Sequence, residues 1–285
     1  MITLMATQQK ADFAERAAGL ISAVRPSDTL LAVGSVVSGL GSESASLDLL
    51  LIGPGAVADG IAASVASMRS GSYRMASGEI VTVRFCPHQE INAVAATIGR
   101  FDQAFLEPSV WANLPELSYQ SRVLLHELRN GVVLANESIA QAWRQLLRVD
   151  QFHLYLVAAH LRKFASRRSG ALRHLKDGDE ETAQWALREC MEGLLAALLA
   201  SVGETNPRKR WHLRLLRQHP EAVGTAEFEQ VLRMFCEWHH AHVPEAIAAA
   251  VDTADALLSQ IVLRCPALGM LASASMSDST FFLAE

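Results

Sequence analysis

Hydrophobic positions Phe13, Ala17, Leu20, Ile21 and Val24 recur at helical spacing among polar residues, which predicts an amphipathic helix over Thr7–Val24. Arg25-Pro26-Ser27-Asp28 breaks it. Two apolar runs bounded by Gly and Ser then predict interior strands, Thr29–Val33 and Ser46–Ile52. The Gly-rich link between them is too long for a tight hairpin. Pro54–Met68 reads as helix, and Tyr73–Met75 and Glu79–Phe85 read as strands around a Ser77-Gly78 turn. Cys86-Pro87 stops the second of these, and Glu90–Ile98 is a helix ended by Gly99. Strands and helices mixed in this order predict an α+β sheet domain over residues 1–115.

From Leu117 the pattern turns helical. Tyr119–Leu128 is ended by Asn130-Gly131, and Ser138–Ala165 is predicted as one long helix with Trp143, Leu146, Leu147, Leu154, Leu161 and Phe164 as its stripe. Asp177-Gly178-Asp179 is a turn with an N-cap candidate before Glu180–Val202, which Gly203 closes. Arg208–Gln218, Ala226–His240 and Glu245–Leu263 complete an all-α bundle over residues 116–265. Residues 266–285 form a Ser-, Ala- and Met-rich tail, either without fixed structure or docked through Phe281 and Phe282.

Asp48 interrupts this pattern. A carboxylate among Leu47, Leu49, Leu50 and Leu51 either faces water at the sheet edge or serves a site. The composition narrows the class of protein. Half of the 285 residues are hydrophobic, enough for a sizeable core and two domains. The formal net charge of −5 argues against general nucleic-acid binding. Cys86, Cys190, Cys236 and Cys265 are scattered without a Cys-x-x-Cys pair, so a reducing compartment is expected. No signal-peptide pattern opens the chain and no apolar segment has membrane-spanning length, so a soluble cytoplasmic protein is the expectation. Walker A, dinucleotide and Gly-x-Ser-x-Gly fingerprints do not occur.

Gly34-Ser35 after the first strand and Asp48-Leu49 on the second resemble the nucleotidyltransferase superfamily with the DNA polymerase β-like fold. That family carries Gly-Ser and then Ser-Asp-x-Asp-Leu; here Ala45 and Ser46 replace the Ser and the first Asp. The second half resembles the helical domain of antibiotic-type nucleotidyltransferases through Gly178-Asp179, Leu194–Leu199, Gly203-Glu204, Asn206-Pro207 and Arg210-Trp211. The resemblance implies a nucleotidyltransferase-like mixed sheet with flanking helices, followed by a helical bundle, with the site between the two domains.

Nucleotidyl transfer relies on positioning and charge stabilisation, usually by two divalent metals held by carboxylates. Asp-x-Asp on a strand places two carboxylates on one face. Ser46 and Asp48 share that face here, with only one acid between them. Where relatives read Val-Asp-Val-Glu-Phe, this chain has Val81-Thr82-Val83-Arg84-Phe85, so a neutral and a cationic residue occupy the acidic positions. Asp48, Ser46, Arg84 and Thr82 are therefore the candidate catalytic positions, and no metal or cofactor is expected. Arg84 either binds an anion directly or neutralises Asp48 as an ion pair. Gly34 and Ser35 are expected to offer backbone N–H groups to an anion. Arg162, Lys209 and Arg210 are candidate ligand-binding residues of the bundle, with Lys163, Arg167, Arg168, Arg173 and Lys176 the rest of a basic run otherwise read as a solvated face.

Two further constellations have plainer explanations. Cys236, His239, His240 and His242 have metal-ligand types but no partner pair at finger spacing, and fit a helix end equally. His160 lies on an apolar helix and reads as a satisfied core histidine, and Trp143, Trp185, Trp211 and Trp238 read as core.

The functional expectation is a divergent nucleotidyltransferase-fold protein without most metal-ligating carboxylates. It would bind a small anionic or nucleotide-like ligand and possess at most a metal-independent activity, in a specialised small-molecule or peptide pathway. One alternative is an active enzyme using a nucleoside triphosphate and Mg²⁺, with Glu43 as substitute acid beside Asp48, to nucleotidylate a hydroxylated small molecule. The other is a non-catalytic scaffold, dimeric through its bundle.

Overall fold

The computed structural model describes residues 2–41, 46–54, 70–74, 80–100, 115–237 and 243–268. All of the predicted helix at Pro54–Met68 beyond Pro54, the Ser77-Gly78 turn, Glu43, Glu79, Trp238, His239, His240, His242, Phe281 and Phe282 lie outside the described residues, as does the side chain of Cys236. Chain contacts divide the molecule into two compact units, Met1–Arg100 with Leu117–Asp150, and Phe101–Glu116 with Gln151–Glu285.

The first unit contains α1 (Ile2–Arg16), α2 (Ala18–Ile21), β1 (Thr29–Val33), β2 (Leu47–Gly53), β3 (Ser70–Arg74), β4 (Ile80–Pro87), α3 (His88–Gly99), α4 (Tyr119–Asn130), β5 (Val132–Ala135) and α5 (Glu137–Leu146). The strands form one mixed sheet in the order β3-β4-β2-β1-β5. β2 and β4 run parallel, and the other three pairings are antiparallel. The fold class is α+β, as the sequence pattern predicts.

Side-chain alternation sorts the sheet into two faces. Leu30, Ala32, Leu47, Leu49, Leu51, Val81, Val83 and Phe85 pack with Phe13, Ala17 and Leu20 as one buried core. The Asp48 side of β2 belongs to the opposite face. The predicted first helix is two pieces, α1 and α2, meeting at Ala17.

β5 is absent from the sequence reading and changes the domain boundary. It pairs with β1 through Leu31↔Val133 and Ala32↔Val132, so Leu117–Asp150 belongs with the sheet rather than with a bundle beginning at residue 116. Polar links tie this late segment to the early one. Thr29 Oγ1 donates to the Ala135 carbonyl at 2.7 Å, and Asn136 Nδ2 donates to the carbonyls of Arg25 at 2.8 Å and Asp28 at 2.6 Å. Arg144 caps the end of α4, donating from Nε to the Leu128 carbonyl and from Nη2 to the Gly131 carbonyl, both at 2.8 Å.

The long helix predicted over Ser138–Ala165 is instead broken. α5 stops at Leu146, and Arg148 takes a left-handed conformation with φ of 47°. A helix cannot continue through that geometry. A 3₁₀ turn, Val149–Gln151, leads to α6 (Phe152–Lys176) of the second unit.

The second unit continues with α7 (Glu180–Ser201), a 3₁₀ turn Lys209–Trp211, α8 (His212–Gln218), α9 (Thr225–Glu237) and α10 (Val243–Arg264). Gly178, at φ of 73°, turns the chain between α6 and α7, and Asp179 caps α7 by accepting from the Thr182 amide at 3.1 Å. α7 packs against both α6 and α10. Leu194–Ala200 are buried all round, as a central helix requires. Two expectations fail here. Trp185, read as core, is 65% exposed, and Arg168, read as part of a solvated face, is only 8% exposed. No helix among the described residues is long and apolar enough to cross a membrane.

Candidate functional site

Strand register assembles the candidate residues. β2 and β4 run side by side with Asp48 opposite Thr82 and Leu50 opposite Arg84. β3 sets Ser72 opposite Thr82 and Ser70 opposite Arg84. Residues paired across strands point to the same side. Asp48, Thr82, Arg84, Ser70 and Ser72 therefore share the face turned away from α1 and α2. Ser46 follows the same alternation and is exposed, whereas Asp48 and Thr82 are half-buried. The Ser72 and Thr82 hydroxyls lie 3.4 Å apart.

Arg84 is engaged by a residue that the sequence reading does not name. Its Nη2 donates to Glu127 Oε2 of α4, forming an ion pair in which the Glu127 side chain is 6% exposed and that of Arg84 27%. Glu127 is the residue that sequence reasoning missed. Its signal resembles that of Asp48: one carboxylate inside an apolar run, Val123-Leu124-Leu125-His126-Glu127-Leu128, all of it buried. The Glu127 carbonyl also accepts from the Gly131 amide at 2.7 Å, and Arg144 holds the same helix end. The carboxylate is thereby fixed by a capped helix rather than by a loop.

The turn after β1 meets Asp48 directly. Gly34 has φ of 86°, and a Cβ placed on it would lie 2.5 Å from Asp48 Oδ2. Both the backbone sign and the space demand glycine. The turn closes on its carbonyls. Ser38 donates to the Gly34 oxygen from its amide at 3.2 Å and its hydroxyl at 3.0 Å, and the Leu40 and Gly41 amides donate to the Ser35 oxygen at 2.8 Å. Gly34→Ala is expected to destabilise the protein by about 2 kcal/mol, because left-handed backbone strain and the displaced carboxylate add. Chemical denaturation would measure it, and a loss below about 0.5 kcal/mol would show that the turn tolerates a side chain.

Among the described residues, the side chains facing Asp48 do not fit a pair of divalent metals. Its neighbours across β4 are a hydroxyl and a guanidinium, and the further carboxylate that the described residues bring to this face, Glu127, is engaged by that guanidinium. Hard cations require several oxygen ligands. Among the described residues no group of three His, Cys, Asp or Glu side chains is placed to hold a metal ion.

Arg162, Lys209 and Arg210 belong to the second unit. Lys209 pairs with Glu192 of α7, and the Arg210 guanidinium lies over the Trp211 ring at 5.0 Å. Arg162 is half-buried on α6, as is His160.

Comparison with known proteins adds little at the level of families. No family model matches the chain, and no curated protein does. Among solved structures, the chain is similar to the crystal structure of a nucleotidyltransferase-like protein from Exiguobacterium sibiricum 255-15, with 13% identity, a TM-score of 0.44, and coverage of 93% of this chain and 78% of that one.

Proposed function

We propose that the Asp48 face binds a small anionic, nucleotide-like ligand through a guanidinium, in a nucleotidyltransferase-type frame that no longer supports two-metal transfer. The observation that carries this is the Arg84–Glu127 pair. A cation stands beside Asp48 at a position where metal chemistry would need an acid, and a buried carboxylate holds it there. A guanidinium has five N–H donors. The bond to Glu127 comes from Nη2 alone, which leaves donors for a phosphate or carboxylate group.

The neighbouring groups support the same reading. Thr82 and Ser72 add hydroxyl donors in the row of Asp48. In the turn, the carbonyls of Gly34 and Ser35 are consumed internally, while the amides of Val36 and Val37 donate to no backbone carbonyl among the described residues. Such amides suit an anion. Asp48 then accepts from a hydroxyl or amine of the ligand, which orients it, and any activity would proceed without a metal.

Calorimetric titration with nucleoside triphosphates, in EDTA and in Mg²⁺, tests this. Binding should persist in EDTA and weaken by about tenfold or more in Arg84→Gln, the cost of one charge-assisted contact. Binding that requires Mg²⁺, with pyrophosphate release abolished in Asp48→Asn, would instead establish ordinary nucleotidyl transfer. No binding in either condition would favour a scaffold.

A further inference from the structure

We infer that the polar sheet face recognises a sugar phosphate or similar polyol phosphate, and that a nucleotide is held there by its ribose phosphate with its base unread. The inference rests on Arg84 being the anion anchor of this face, and it names what the rest of the ligand must carry.

The two charged residues that β2 and β4 bring to the face make opposite demands. Arg84 calls for an anion. Asp48 repels one and calls for a donor. Leu50, not Asp48, stands opposite Arg84, so the two are offset by two residues on adjacent strands. Their backbone positions are therefore about 7 Å apart along the strands and about 5 Å apart across them. A furanose 5-phosphate sets its ring hydroxyls away from its phosphate on this scale. Inorganic phosphate has no hydroxyl arm and would meet Arg84 without satisfying Asp48.

The row of Asp48 continues through Thr82 of β4 to Ser72 of β3, so three polar positions cover about 10 Å. Among the described residues, the Ser72 and Thr82 hydroxyls meet only each other, at 3.4 Å. Each keeps donor and acceptor capacity for a ligand hydroxyl. Asp48 is engaged within the protein, but a carboxylate accepts at about four sites. A single ammonium group would use one position of so wide a row, whereas hydroxyls on neighbouring carbons use several. Ser70, opposite Arg84, adds an exposed hydroxyl beside the anchor. Arg74, opposite Ile80, stands a further row away and is engaged within the protein.

Reading a base calls for a stacking wall. Among the described residues of the strands, no side chain on this face is aromatic. Tyr73 and Phe85 pack with the core on the other side. Tyr119 is 46% exposed, but it stands more than two turns of α4 before Glu127, about 12 Å along the helix.

Calorimetric titration of the full chain in EDTA tests this with ribose 5-phosphate, AMP, CMP, GMP, UMP, adenosine, pyrophosphate and O-phosphoethanolamine. Ribose 5-phosphate should bind within about threefold of the nucleotides, and these should bind alike. Adenosine, which lacks the phosphate, should not bind. Pyrophosphate and O-phosphoethanolamine should bind at least about tenfold more weakly than ribose 5-phosphate. Thr82→Val and Ser72→Ala should each weaken ribose 5-phosphate about fivefold and pyrophosphate less than about twofold, the loss of one hydrogen bond to a ligand hydroxyl. Tyr119→Leu should change none of these. The inference is overturned if AMP binds and ribose 5-phosphate does not, if one base is preferred by more than about tenfold, if Tyr119→Leu weakens the nucleotides, or if pyrophosphate or O-phosphoethanolamine matches ribose 5-phosphate. In each of those cases loss of binding in Arg84→Gln would still uphold the anion anchor. Failure of every phosphate compound to bind would remove the anchor itself, and the inference with it.

Discussion

Arg84→Met is expected to destabilise the protein by about 3 kcal/mol, roughly twice the cost of Glu127→Gln. The asymmetry follows from burial. Without Arg84, the Glu127 carboxylate sits 6% exposed in an apolar run with its cation gone. Without the Glu127 charge, the Arg84 guanidinium is still 27% exposed and can turn toward water. Replacing both, as Arg84→Met/Glu127→Leu, should return stability to within about 1 kcal/mol of the parent, because a buried pair is often no better than packed apolar groups. Urea titrations of the four proteins form a double-mutant cycle. Equal costs for the two single variants, or costs below about 1 kcal/mol, would show that the pair does not hold the sheet face together. The double variant also separates stability from function. It should fold and yet bind no nucleotide, since the proposed anion-binding fork is absent.

How much of this site could be read from the sequence depended on how local each signal was. Gly34 and Asp48 stood out because a glycine after a strand and an acid among leucines are visible within a few residues. The structure explains why they occur together: the Asp48 carboxylate occupies the space of the missing Gly34 side chain. Arg84 was legible as a residue out of place, but its partner was not. Glu127 lies 43 positions away on a helix whose periodicity says nothing about which strand it meets. β5 escaped for the same reason. Its four residues become a strand only by pairing with β1 about a hundred positions earlier, and no local propensity encodes that. The break at Arg148 lacks any Gly or Pro signal, since arginine is an ordinary helix former placed here at positive φ. The turns and caps of the second unit were readable, because Gly178 and Asp179 act on their immediate neighbours.

Acid should weaken the second unit through His212. This side chain is 8% exposed, and burial pushes its imidazole down to about 4 from 6.5, with Glu192 pulling upward and Lys209 pushing downward. Between those two values the unfolded chain binds a proton that the folded chain refuses. Stability therefore rises with pH across this window, and is lost as pH falls from about 6.5 toward about 4. The loss attributable to this group approaches about 3 kcal/mol at the acid end. His212→Asn cannot take up that proton. It should be less stable than the parent at pH 7 through lost packing, yet show a flatter profile below it. Denaturant midpoints measured across the window would give parallel curves if another group were responsible.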